Sequence, residues 1–561
     1  MDFRLVIAQA LARECSLSAE ALAELLETPP NPAMGDAAFP CFKLAKELRK
    51  APPMIAAELC QKLELPAEIK AQAAGPYINF TFDPAALSKA VLEKVFSEGE
   101  RYGGSDLGRG KTVCLDYSSI NIAKPFHIGH LRSTVIGHAL NRIYRHMGYD
   151  TVGINHLGDW GTQFGKMIYA YKAWGNREDV EKGGVSALVS LYVKFHDEAE
   201  QDESLNDAAR AWFKKIEDGD PEALELYEWF KKLTLEEVGK VYDLLGVKFD
   251  SYAGESFYND KMDRVVEELN EKGLLKLDAG ARIVDLEEYK MPPCIILRSD
   301  GATLYATRDI AAALYRKDTY DFAKCLYVVA YQQDLHFRQW FKVVELMDYP
   351  WYKDLTHVSF GMVSVKDGTL STRKGKVIYL MDVLQAAMKK TREIIEEKSP
   401  DLEDKDAAAK MVGVGAVVWN GLYNGRIKDI VFDWETALNF DGETGPYAQY
   451  TYARACSVLR KAQPEGAIDY AALTDPHARG VISALEAFPA AVNEAMEKNE
   501  PYLVSRSVIA LCQAFNRFYY EDRIMAEEEN VKNARLALTK AAAQVIKIGL
   551  GLVGLEAPER M

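Results

Sequence analysis

A lysine and two histidines in one short run are the first residues whose types and spacing suggest chemistry. The stretch from Asn121 to His130 reads NIAKPFHIGH, with Lys124 just ahead of His127 and a second imidazole at His130. Imidazoles so spaced can donate hydrogen bonds to phosphate oxygens as charge builds on them. Gly129 would let a ligand approach the backbone, and a helix start offers free N–H groups and a positive dipole end to phosphate. The segment is therefore expected to be a phosphate-binding turn. Two plainer readings compete with it. These are two of 9 histidines, and any two can fall near a helix start. A metal site could draw on His138, His146 and His156, but no cysteine or carboxylate falls at ligand spacing and there is no HExxH.

A second phosphate-loop candidate, GGSDLGRGKT from Gly103 to Thr112, fails on its own terms. The form GxxxxGK[ST] needs a glycine where Ser105 stands, and the segment precedes a strand instead of following one. It reads as a glycine-rich linker.

The histidine turn needs a strand before it and a helix after it. TVCLDYSS supplies the strand, and LRSTVIGHALNRIYRHMG, with apolar residues three and four apart and Gly148 closing it, supplies the helix. Further strands are expected in DTVGINHLG, IILR, TLYATRD and KCLYVVAYQQ, separated by helix-forming segments such as IAAALYRK and FRQWFKVVELM. Such alternation predicts a parallel sheet with crossover helices, whose ligands sit at the carboxyl ends of the strands. GMVSVKDGTLSTRKGKVIYL reads as a hairpin turning at Asp367-Gly368. A charged stretch from about 172 to 250 is helical and lacks strand signals. Before this region the chain reads as helices with one short strand, GPYINFTF, and beyond about Leu380 it is almost entirely helical. The expected fold is multidomain α/β, with an N-terminal α+β appended domain over 1–105. A Rossmann-like parallel-sheet catalytic domain over 106–385 and an all-α helical bundle over 386–561 complete it.

Composition bounds the rest. The 561 residues are 48% hydrophobic, enough to bury several cores. No run approaches the ~20 apolar residues that span a bilayer, and MDFRLVIAQALARECSLSAE is an amphipathic helix and not a secretion signal. Eight scattered cysteines without a CxxC pair suggest free thiols in a reducing cytoplasm and no structural metal. The net charge of -15 counts against a nucleic-acid partner unless basic residues are segregated on one face.

Several motifs in order change the balance. NPAMGDAAF, DYSSINIAKPFHIGHLRSTVIG, HLGDWGTQFG, LYATRD, YVVAYQQDLH, LSTRKGKVI, TGPYAQYTYAR and the closing APERM are together similar to signatures of the class I aminoacyl-tRNA synthetases. Among these, the chain resembles the arginyl-tRNA synthetases along its whole length. The resemblance implies ATP-dependent activation of L-arginine to an adenylate and transfer to the 3′ end of tRNA(Arg). ATP with Mg²⁺ is then the substrate complex, and a monomer is expected. His127, Gly129 and His130 would meet ATP, with Ser371 and Lys376 of the degenerate signature loop TLSTR and its flank. Lys124 looks like the substitute for the lysine that loop lacks, beside Arg373 and Lys374. Arginine would be held by Asn121 at its backbone end and by Glu255, Tyr305, Asp309 and Gln333 at its guanidinium, because a planar cation is best held by carboxylates. Tyr447, Gln449, Tyr452 and Arg454 interleave aromatic and basic groups, as unpaired RNA bases require, although the tyrosines suit a helical core equally well. Another class I synthetase, another HxGH nucleotidyl transferase, or a tRNA-binding paralogue without activity remain as alternatives.

Overall fold

In a computed structural model of the chain, residues 2–29, 31–122, 124, 126–299, 303–365 and 378–561 are described. They form two compact units. One comprises Met1–Tyr102, Arg454–Ala487 and Ala510–Ile546; the other comprises Gly103–Ala453, Phe488–Ile509 and Lys547–Met561.

In the first unit, strands β1 (Ala37–Pro40), β2 (Ile69–Ala74) and β3 (Tyr77–Phe82) make an antiparallel sheet in the order β1-β3-β2. Only β3 was legible in the sequence, through its buried Ile78, Phe80 and Phe82. The β2 segment, IKAQAA, offers one β-branched residue and three alanines, a composition that suits a helix equally well. Later helices belong to the same body. Tyr102 Oη donates to the Leu485 carbonyl at 2.8 Å, and Gln544 Nε2 donates to the carbonyls of Val95 and Gly99, each at 2.8 Å.

The second unit holds the parallel sheet. Strand β4 (Thr112–Asp116) pairs with β5 (Asp150–Ile154), and helix α1 (Leu131–His146) lies between them in the chain. After β5 the chain runs through the helices Thr162–Trp174, Arg177–Ala199, Ser204–Glu217 and Pro221–Leu245, where the strandless insert was expected, and then through Met262–Glu271 before the next strand. Strands β6 (Leu275–Asp278), β7 (Ala281–Val284) and β8 (Cys294–Leu297) then form an antiparallel sheet of their own. IILR thus lies in a strand, but outside the parallel sheet that its apolar run suggested.

TLYATRD is corrected more fully, since Tyr305 opens helix α2 (Tyr305–Tyr320). Its buried positions, Ala306, Ile310, Ala313 and Leu314, recur at helical spacing, and alanine-rich IAAAL favours that choice. Strand β9 (Lys324–Tyr327), helix α3 (Asp334–Leu346) and strand β10 (Leu355–His357) complete a four-stranded parallel sheet in the order β10-β9-β4-β5. Trp340, Val343 and Val344 of α3 and Ile310 of α2 pack in one core with Cys114 and Cys325, all fully buried.

Of the expected hairpin, the first arm is strand β11 (Val363–Val365), which pairs in parallel with β12 (Ile430–Phe432), and the turn expected at Asp367-Gly368 lies outside the described residues. Sequence-distant partners of this kind leave no local signal. Helix α4 (Lys405–Leu422) and the helices Gly445–Lys461, Pro476–Lys498, Tyr502–Glu521 and Glu529–Leu552 make up most of the C-terminal part.

Candidate active site

The segment leaving β4 turns sharply at its carboxyl end. Ser118 and Ser119 both adopt left-handed conformations, φ 68° and 44°, which cost serine roughly 1–3 kcal/mol each. Side chains hold that turn: Ser118 N–H donates to Ser133 Oγ at 2.9 Å, and Ser119 Oγ donates to Asp116 Oδ1 at 2.6 Å. Asp116 itself is buried against Arg316 of α2 in an ion pair of 2.8 Å. The strand end, the turn and α2 are thereby locked together.

Beyond the turn, His127 and His130 lie with ring centroids 4.0 Å apart. Each ring is held by the backbone of the other's turn. Gly129 N–H donates to His127 Nδ1 at 3.0 Å, and His127 N–H donates to His130 Nδ1 at 3.2 Å. A ring nitrogen that accepts a hydrogen bond carries no proton, so in the neutral imidazole the proton sits on Nε2. Burial pushes both rings toward that neutral form: His127 is lowered, with Lys124 adding to the effect, and His130 is lowered to about 3. Two neutral Nε2–H donors result. Gly129 has a different reason from the one expected, because a Cβ there would come within 2.7 Å of the His127 ring. The glycine makes room for the imidazole, and its N–H is already used by it.

The chain that follows residues 366–377 returns directly to this turn. Ile128 N–H donates to the Ile378 carbonyl at 3.0 Å, Leu380 N–H donates to the Phe126 carbonyl at 2.9 Å, and His127 pairs with Tyr379. Ser371, Arg373, Lys374 and Lys376 lie outside the described residues. Lys124 is exposed, and its charge acts on His127, His130 and Glu255.

Glu255 and Asp309 form the acidic part of the site. Burial lifts the Glu255 carboxyl to about 7; Arg308 opposes that shift, and the charges of Asp309 and Asp159 reinforce it. Arg308 stands 3.6 Å from Glu255 Oε2, and His336 Nε2 lies 2.6 Å from Asp309 Oδ2. Neither Arg308 nor His336 was assigned a role from sequence, although both sit inside the motifs YATRD and QQDLH. Glu255 is aimed by a buried support. Asp159, fully buried, accepts from Ser256 N–H at 2.9 Å and Ser256 Oγ at 2.7 Å and pairs with Lys231 at 2.7 Å. Gly254 permits this approach, since a Cβ there would meet Asp159 Oδ1 and the Leu157 carbonyl at 2.6 Å.

The other expected arginine contacts are more open. Asn121 is exposed and bridges Gly158 in parallel, where a Cβ would collide with its Oδ1. Tyr305 is 67% exposed at the start of α2, and Gln333 is exposed just before α3. Toward the C-terminus, Gln449 is fully buried and its amide donates to the carbonyls of Met411 and Glu556 at 3.1 and 2.7 Å. Tyr452 is 5% exposed. Burial leaves these two no surface for RNA, so they act in packing. Tyr447 is half-buried, and Arg454 bonds Asn516 and lies over Tyr519 and Tyr520, at 5.1 and 5.0 Å to the ring centres. Among the described residues, one group lies within metal-ligand reach, Asp475, His477 and Asp522, and each member already has an internal partner. Asp475 caps the N–H groups of His477 and Ala478, and Asp522 meets both His477 and Arg535.

Comparison with known proteins decides the family. Residues 91–434 match the model of the class I (R) tRNA synthetase catalytic domain, 448–561 the DALR anticodon binding domain, and 2–82 the arginyl tRNA synthetase N terminal domain. The chain belongs to the arginyl-tRNA synthetases. Arginine–tRNA ligases of Clostridioides difficile and Alkaliphilus metalliredigens are 56% and 54% identical to it, each covering 100% of both chains. The Thermus thermophilus arginyl-tRNA synthetase superposes with a TM-score of 0.86 at 26% identity over 100% of both chains. That of Plasmodium falciparum, at 22% identity, shares the fold with a TM-score of 0.79 over 96% of this chain and 94% of its own. The activity is that of an arginine–tRNA ligase of class I. The alternative readings find no support in these matches. No helix among the described residues is long and apolar enough to cross a membrane.

Proposed function

We infer that the α-carboxylate of L-arginine attacks the α-phosphate of MgATP in line at this turn. A carboxylate–phosphorus bond forms as the bond to pyrophosphate breaks, and the adenylate then passes its arginyl group to the terminal ribose of tRNA(Arg), releasing AMP. The observation that carries this reading is the pair of neutral imidazoles, each with Nδ1 engaged by backbone and Nε2–H left to donate. His127 and His130 stabilise charge on the phosphates without adding a permanent cation. Lys124 supplies the cation, with Arg373 and Lys374 sharing that work and Ser371 and Lys376 contacting ATP. Catalysis is then positioning plus electrostatics, and no enzyme nucleophile is needed.

Asn121 holds the amino-acid backbone, while Glu255, Asp309, Tyr305 and Gln333 read the guanidinium. The domain reading is 1–105 for tRNA contact, 106–385 for catalysis and 386–561 for the anticodon, with Tyr447 and Arg454 as contacts to RNA. The enzyme works as a cytoplasmic monomer, a setting that suits eight cysteines that form no disulfides. Charging assays with purified protein, a tRNA pool, ATP and each amino acid in turn test the reading. Arginine alone is expected on tRNA; charging of another amino acid overturns the pocket assignment, and no charging overturns the activity.

A further inference from the structure

We propose that His336 positions Asp309 for arginine selection. This rests on the reading of Asp309 as a guanidinium contact. Asp309 lies in the second turn of α2 and His336 in the first turn of α3, just after Gln333, so the pair joins the two helices that carry the expected readers. His336 Nε2 lies 2.6 Å from Asp309 Oδ2, and both side chains are about three-quarters buried, with 28% and 27% exposure. Among the described residues, no hydrogen bond reaches Asp309 Oδ1. The ring therefore occupies one carboxylate oxygen and leaves the other for a ligand.

The ring is itself supported. It makes an edge contact with Phe337 at 5.7 Å, and Phe337 stacks on His357 at 4.2 Å with planes 19° apart. Phe337 is 6% exposed, so this stack is part of the core. His336 thus transmits a fixed position from the packed interior to a carboxylate at the site's edge. A planar guanidinium rewards such fixing, because both the position and the plane of the acceptor matter to it. An aspartate free to change rotamer would lose that freedom on binding and would suit a point-charge ammonium almost as well. The arrangement follows the general pattern in which an outer hydrogen bond orients a ligand-contacting group.

Steady-state charging of tRNA with the full-length enzyme tests this. H336A is expected to raise KM for arginine about tenfold, the loss of one hydrogen bond to a charged group. KM for ATP and the melting temperature stay unchanged. H336Q, whose amide can reach Asp309, restores KM to within about threefold of the parent enzyme. In a D309N background, H336A adds less than about twofold, because the two residues then act as one unit. If H336A lowers the melting temperature, H336F keeps the ring and lacks the donor, and it takes the place of H336A. The proposal is overturned if the donor-less variant leaves KM for arginine unchanged, if KM for ATP rises in parallel, or if H336Q is as impaired as H336A. D309N alone separates the two levels: unchanged KM for arginine there removes the reading beneath the proposal, whereas a raised KM with a silent H336A removes only the role of His336.

Discussion

Lys124 differs from the histidines in carrying its charge on an exposed, flexible side chain. The two imidazoles are held by backbone hydrogen bonds and kept neutral by burial, so they contribute aimed dipoles while Lys124 contributes full charge. Lys124→Ala should lower kcat/KM for charging by about 10²- to 10³-fold, the usual loss on removing one group that stabilises developing charge. Its melting temperature should match the parent, and near-normal turnover would return the role to the loop cations. Glu255 makes a second residue-level prediction, this one in pH. Its carboxyl titrates near 7, raised by burial, so the carboxylate that a guanidinium needs is present above that pH and lost below it. Arginine keeps its charge throughout. KM for arginine should therefore rise as pH falls through about 7, and Glu255→Gln should flatten that profile while raising KM at high pH. A profile that is the same in Glu255→Gln and parent would assign the titration elsewhere.

At the scale of elements, the histidine helix is tied to segments far along the chain. Arg132, fully buried on α1 just after the second histidine, donates to the carbonyls of Gly361 and Lys428, the first at 2.9 Å. Burial lowers its pKa to about 10, with Asp429 and Glu500 opposing. The value leaves it charged at neutral pH, and its charge is met by backbone dipoles. Gly361 and Lys428 flank the starts of β11 and β12, so one guanidinium fixes that strand pair to α1. Arg132→Met would leave those carbonyls unpaired in the interior and should cost about 3 kcal/mol of stability, read as a lower urea midpoint. Arg132→Lys should recover part of it. Unchanged stability in Arg132→Met would mean that water replaces the guanidinium.

For the whole molecule, the N-terminal hundred residues are not a free-standing attachment. Their unit includes Arg454–Ala487 and Ala510–Ile546, joined by the Tyr102–Leu485 and Gln544–Val95 hydrogen bonds and by the Arg479–Asp36 ion pair. Deleting residues 1–102 should therefore expose the later helices, with faster proteolysis between 454 and 546 and a lower melting temperature. A deletion that leaves those helices protected would show that they fold alone. Much of this protein was legible beforehand. The strand–turn–helix around NIAKPFHIGH, the strandless insert and the helical C-terminal part follow from local periodicity and glycine placement, which are properties of adjacent residues. The acids Glu255 and Asp309 were named through motifs. Three-dimensional packing decided the rest: that Gly129 clears space for an imidazole, that YATRD opens a helix, that β11 pairs with β12, that Gln449 is buried, and that Asp159, Arg308 and His336 hold the acids. Apart from Gly129, whose imidazole lies two residues away, and the helix at YATRD, whose buried positions have local helical spacing, each of these depends on partners far away in sequence. Burial and pairing between distant segments set them, and no local pattern of residue types encodes which segments will meet.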